Sequence, residues 1–100
     1  MIKIALCDDN DRDLIRLQQK VETILQEVFP LEKYSLIIFH SPVDLEYDIQ
    51  TSDVADIFIL DVEMPEINGF QIVKKIHDRN AAAVVFFFTA HMEMASKGYS

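Results

Sequence analysis

Tryptophan is absent from this 100-residue chain, cysteine occurs once, glycine twice and proline three times. The lone cysteine, Cys7, excludes an intramolecular disulfide framework and fits a reducing compartment. No stretch reads as the Gly-rich GxxxxGK[ST] phosphate loop, so nucleotide binding has no support. The three histidines, His40, His77 and His91, are too scattered for a zinc site or a phosphohistidine relay. Positive charge is scarce: nine basic residues against 17 acidic ones leave a net charge of −8. That field repels nucleic acid and anionic membrane, which argues against direct DNA binding. The longest apolar run, Ala81 to Phe88, is too short to span a bilayer. Asp8 and Asp9 interrupt the N-terminus before a signal peptide could form. What remains is a soluble cytoplasmic chain, 50% hydrophobic, expected to fold as one small globular domain.

Strands and helices take turns along it. Ile2 to Cys7 is an apolar run consistent with a buried strand. Asn10-Asp11-Arg12-Asp13 supplies capping oxygens and early negative charge for a helix. Leu14, Leu17, Val21, Ile24, Leu25 and Val28 recur at three- and four-residue steps, predicting one apolar helix face that stops before Pro30. Tyr34 to Phe39 reads as a second strand, and Pro42 suits the first turn of a short helix reaching about Gln50. Ala55 to Leu60 is a third strand. A loop marked by Met64-Pro65 and Asn68-Gly69 leads into a helix from about Phe70 to Arg79, with Phe70, Val73 and Ile76 expected inside. Ala82 to Phe88 is a fourth strand, and a fourth helix is expected from His91.

Four β-α units in succession predict a parallel sheet with helices on both faces, since parallel strands need crossover connections. The strands are apolar throughout rather than alternating, as such burial requires. Reactive groups in these sheets gather at the carboxyl ends of the strands. The first strand ends in Asp8 and Asp9, the third in Asp61, the fourth in Thr89. If strands one, three and four are neighbours, three carboxylates and a hydroxyl share one crevice. Only a cation between them relieves their repulsion, and an all-oxygen donor set suits a hard ion such as Mg²⁺. A carboxylate beside such an ion can attack phosphorus to give an acyl phosphate. Thr89 could then donate a hydrogen bond to the phosphoryl group.

These residues resemble a known family. Asp8-Asp9, the segment Asp61-Val-Glu-Met-Pro-Glu-Ile-Asn-Gly69, and Thr89-Ala90 follow in order the pattern of the response-regulator receiver domain. The resemblance implies a flavodoxin-like (CheY-like) doubly wound α/β sheet with strand order 2-1-3-4. It implies phosphorylation of Asp61 by a sensor histidine kinase. Mg²⁺, with Mn²⁺ as an alternative, would be held by Asp8, Asp9, Asp61 and the backbone carbonyl of Glu63. Thr89 would act as a switch toward the phosphoryl group with the Ala90 N–H nearby. Glu63, Met64 and His91 would flank the site, with Glu63 and His91 at positions that tune autodephosphorylation. The overall pattern looks most like regulators with a LytTR-type DNA-binding output.

The chain also departs from the pattern. The receiver's fifth strand, with its lysine, and its fifth helix are missing, which predicts a C-terminally truncated receiver spanning 1–100 with no output domain. The fourth strand would then be a sheet edge carrying Phe86, Phe87 and Phe88, a template for pairing. Self-association is therefore expected, through that edge, the uncovered sheet face or the fourth helix. Blander roles are available for each residue: Asp8 and Asp9 as a solvated loop or cap, Asp61 as a strand-end residue, Thr89 as a helix cap, Cys7 as a small buried hydrophobe. Two other functions compete with a phospho-switch. A phosphatase of the haloacid dehalogenase type would want an Asp-x-Asp pair, whereas Asp61 is followed by Val62 and Glu63. A pseudo-receiver would keep the fold without gaining phosphate.

Overall fold

A computed structural model describes residues 1–51, 54–64 and 68–88. Four strands and three helices alternate: β1 (Ile2–Cys7), α1 (Asp11–Val28), β2 (Tyr34–Phe39), α2 (Pro42–Thr51), β3 (Ile57–Asp61), α3 (Gly69–Arg79) and β4 (Val84–Phe88). All pairings are parallel, and the sheet order is β2-β1-β3-β4. A parallel α/β sheet is what the alternating apolar runs and helical periodicities predict, and its strand order is the one the family resemblance implies. The fourth helix expected from His91 lies outside the described residues, as do Thr89 and Ala90.

Strand alternation divides the core in two. Ala5 and Cys7 of β1, with Phe58 and Leu60 of β3, face α2 and α3, where Leu45, Ile49, Ile72 and Ile76 complete a buried cluster. Ile4 and Leu6, with Ile57 and Ile59, face the other way and are covered by Leu14, Leu17, Val21 and Leu25 of α1. Burial on both faces explains why no strand alternates in sequence.

Helix ends follow from local chemistry. The Asn10 side chain accepts the Asp13 N–H and caps α1, which closes with the Phe29 N–H on the Leu25 carbonyl just before Pro30. The Asn68 side chain accepts the N–H groups of Phe70 and Gln71 at the start of α3. Arg79 reaches from the end of α3 to donate to the carbonyls of Ile49 and Gln50 in the last turn of α2, at 2.9 and 2.8 Å. The link from α3 to β4 is tied by His77 Nε2 donating to the Ala83 carbonyl at 2.9 Å.

Several expectations need correction. Phe70 is 90% exposed rather than inside, and Ile72 takes the buried place beside Ile76. At 100° per residue Phe70 sits about 160° around the helix from Ile72, so the inner face excludes it. Ile24 and Val28 lie at the margin of the α1 stripe and remain more than half exposed. β3 and β4 each begin two residues later than the apolar runs suggest. Asp56 forms a bend, its carboxylate accepting the Lys3 N–H, and Asn80 engages the N–H groups of Ala82 and Ala83 before β4 starts. β3 in turn runs through Asp61, which is a strand residue and not the first of the loop.

Candidate functional site

The carboxyl ends of β1 and β3 lie side by side, with Cys7 opposite Leu60 in the parallel register. The next residue of each strand is therefore an aspartate, Asp8 or Asp61. Asp9 follows Asp8 on the loop into α1. One carboxylate oxygen from each of Asp8, Asp9 and Asp61 lies within 4.8 Å of the others. Asp8 and Asp61 are buried, while Asp9 is exposed.

Backbone amides orient two of the three. The Asn10 N–H donates to Asp8 Oδ1 at 2.9 Å, and the Glu63 N–H donates to Asp61 Oδ1 at 3.0 Å. In each case a carboxylate is tied to the amide two residues later, the turn that aspartate makes with its own backbone. The Asp8 N–H reaches the Phe39 carbonyl at 3.3 Å and the Val62 N–H reaches the Phe88 carbonyl at 2.8 Å, so both acidic turns are continuous with the sheet ladder. Among the described residues, one buried side-chain oxygen has no hydrogen-bond partner: Asp8 Oδ2.

The electrostatics are unfavourable as they stand. Two ionised carboxylates at such a separation repel by roughly 3–4 kcal/mol at an effective dielectric constant of about 20. Burial strips water from Asp8 and pushes its pKa up from 3.8 to about 6; the Asn10 N–H opposes this rise, and the neighbouring charge of Asp61 adds to it. The ion pairs His40–Asp11 and Lys75–Glu46 include none of the three carboxylates. A bare buried oxygen, a clustered negative charge and an all-carboxylate donor set fit a small hard divalent cation, Mg²⁺ before any softer metal.

The other expected site residues divide. Glu63 is exposed and adjoins Asp61 through its N–H. Met64 follows at once in sequence, but its side chain is buried in the α2–α3 core, with its sulfur 3.7 Å from Cys7 Sγ. Cys7 is fully buried, and desolvation followed by the surrounding carboxylates Asp8, Asp9, Asp61 and Asp44 pushes its thiol up to about 12. It is a core residue and not a nucleophile. Thr89, Ala90 and His91 lie outside the described residues. The sequence reading gave Asn10 a capping role and missed its second one, the hold of its N–H on Asp8. The Asp8-Asp9-Asn10 spacing carried that signal, since an aspartate two residues before a cap can turn onto it.

Comparison with known proteins agrees with this geometry. Residues 4–99 match the model of the family described as the response regulator receiver domain. The chain is 35% identical over 48 residues to the transcriptional regulatory protein CiaR of Streptococcus pneumoniae, and 39% identical over 44 residues to the positive alginate biosynthesis regulatory protein of Pseudomonas aeruginosa. Those stretches cover 48% and 44% of this chain but only 21% and 18% of the two relatives. The crystal structure of the response regulator DrrB, a Thermotoga maritima OmpR/PhoB homologue, superimposes with a TM-score of 0.58 at 24% identity. That likeness, over 99% of this chain and 41% of DrrB, concerns the fold. With the strand order, the acidic strand ends and a family match over nearly its whole length, the chain belongs to the response-regulator receiver domains of two-component signalling.

Proposed function

We propose that this receiver takes a phosphoryl group onto Asp61 from a sensor histidine kinase, with Mg²⁺ held by Asp8, Asp9, Asp61 and the Glu63 carbonyl, and that Mn²⁺ can substitute. The observation that carries the proposal is the convergence of the three carboxylates, one with a bare buried oxygen. When bound, the cation supplies charge neutralisation for the carboxylates and for the oxygens of the incoming phosphoryl group.

The chain's own residues do the rest. The Glu63 N–H occupies Asp61 Oδ1, which leaves the second oxygen for attack on phosphorus. An O–P bond forms as the donor's N–P bond breaks, and the imidazole leaves with the electron pair. Asp61 is 6% exposed, so its side chain is shielded from bulk water. The Thr89 hydroxyl and the Ala90 N–H would contact the phosphoryl group, and Glu63 and His91 would tune its hydrolysis. The role is that of a signalling switch, and the reaction is a single event per cycle.

The proposal extends to the rest of the regulator. The switch would act on a transcriptional output, of the LytTR DNA-binding type, in the cytoplasm, while this acidic domain itself leaves DNA and membrane alone. Among the described residues no helix is long and apolar enough to cross a membrane. Self-association through β4 is part of the same reading: Val84, Phe86 and Phe87 are 40–56% exposed at the sheet edge. Sedimentation showing a clean monomer at high concentration would remove that element.

The test is phosphorylation of the chain by a small acyl phosphate. One alkali-labile, hydroxylamine-sensitive phosphoryl group is expected, and it should not form in chelator or in Asp61→Asn. A phosphoryl group that persists in Asp61→Asn would overturn the assignment. Turnover of a phosphate ester would point to a phosphatase instead, and no phosphorylation even in the full-length parent protein to a pseudo-receiver.

A further inference from the structure

We infer that Asn10 is a positioning residue for the metal site: its side chain, by locking the first turn of α1, sets the amide that aims Asp8. The inference rests on the Mg²⁺ reading above and concerns how the chain prepares for the ion.

Three groups of Asn10 are engaged at once. Its N–H donates to Asp8 Oδ1 at 2.9 Å, its side-chain Oδ1 accepts the Asp13 N–H at 3.0 Å, and its carbonyl accepts the Leu14 N–H at 3.0 Å. The residue sits in extended backbone at φ −98° and ψ 112°, as a helix cap does. Leu14 is 2% exposed and fixed in the cluster beneath the sheet. The core therefore holds Leu14, Leu14 and Asp13 hold residue 10, and residue 10 holds one oxygen of Asp8. The other oxygen of Asp8 is thereby left bare among the carboxylates. Asp61 has the equivalent bond from the Glu63 N–H, but among the described residues Glu63 opens no helix.

Two properties follow. Without the side-chain acceptor, the backbone at residue 10 is no longer pinned, its N–H drifts from Asp8, and the carboxylate can rotate its bare oxygen away. Groups that orient a metal ligand from behind are worth about 10–100-fold in metal affinity when removed. Glycine is a tolerable cap that lacks the acceptor, and serine restores one. Stability and orientation can therefore be separated.

The experiment titrates Mg²⁺ into the wild-type chain, Asn10→Gly, Asn10→Ser and Ile49→Val by calorimetry. Ile49→Val is a core truncation in α2 that lowers stability without touching the turn. Hydrogen exchange of the residue 10 amide is followed in parallel with chelator present. Asn10→Gly is expected to bind Mg²⁺ about 10–100-fold more weakly and to exchange that amide faster without metal. Asn10→Ser is expected to recover most of both, and Ile49→Val to keep wild-type affinity. Wild-type affinity in Asn10→Gly, or equal weakening in Ile49→Val, would overturn the inference and leave Asn10 a simple cap. Wild-type protein that binds no Mg²⁺ would instead overturn the metal reading on which it stands.

Discussion

Replacing Asp8 by asparagine should make the metal-free protein more stable at neutral pH, although Asp8 is a buried polar residue at the heart of the site. In the folded chain its pKa rises from 3.8 to about 6, chiefly through desolvation. A carboxyl whose folded pKa is raised contributes its full stability below about pH 4 and loses it as pH rises through 6. At pH 7.5 the fold therefore carries the penalty of an ionised, buried Asp8. The gap between 3.8 and about 6, at 1.36 kcal/mol per unit, sets a ceiling near 3 kcal/mol. Asparagine keeps the acceptor for the Asn10 N–H and removes the charge beside Asp61. A gain of about 1–3 kcal/mol is expected, at roughly 4–8 °C in Tm per kcal/mol for a domain of this size. The assay is thermal and urea unfolding in chelator at pH 4 and at pH 7.5, repeated with Mg²⁺. The gain should vanish at pH 4, and Mg²⁺ should raise Tm in the wild type far more than in Asp8→Asn. A variant less stable than wild type at pH 7.5, or a difference independent of pH, would refute the reasoning.

Other outcomes follow from the packing. Ile72→Ala should cost about 2–5 kcal/mol in urea unfolding, while Phe70→Ser stays within about 0.5 kcal/mol, because the first is buried and the second is not. Arg79→Ala removes a donor shared by two carbonyls of α2 and should lower stability by about 1–2 kcal/mol, with hydrogen exchange accelerated in the last turn of α2 rather than in the sheet. Cys7, fully buried with its thiol pushed up to about 12, should resist thiol reagents at pH 8 until the chain unfolds; labelling in the native state would contradict its place in the core.

Much of the fold was legible because its signals are local. Runs such as Ile2 to Cys7 and Tyr34 to Phe39 match the observed strands residue for residue, and Asn10 announces α1 by capping chemistry, whereas Asn68 read only as a loop marker and caps α3 in the structure. The convergence of Asp8, Asp9 and Asp61 was legible because a parallel sheet collects its strand ends. What sequence could not supply was rotation and depth. Phe70, Val73 and Ile76 step by three, but Asn68 caps a helix whose phase buries Ile72 instead. Ile24 and Val28 fit the α1 stripe, yet its width against β1 and β3 admits only Leu14, Leu17, Val21 and Leu25. Met64 reads as a loop residue after the acidic strand end, and only the three-dimensional path turns it into the core against Cys7. The bare oxygen of Asp8 is likewise a product of packing, since no spacing reveals which lone pair finds a donor.

The most direct measurement is a crystal soaked in Mn²⁺, read by its anomalous scattering. A single strong peak bounded by Asp8, Asp9 and Asp61 is expected, weakened in Asp8→Asn. A peak elsewhere, or none at millimolar Mn²⁺ with the three carboxylates ordered, would contradict the claim that these strand ends form a cation site.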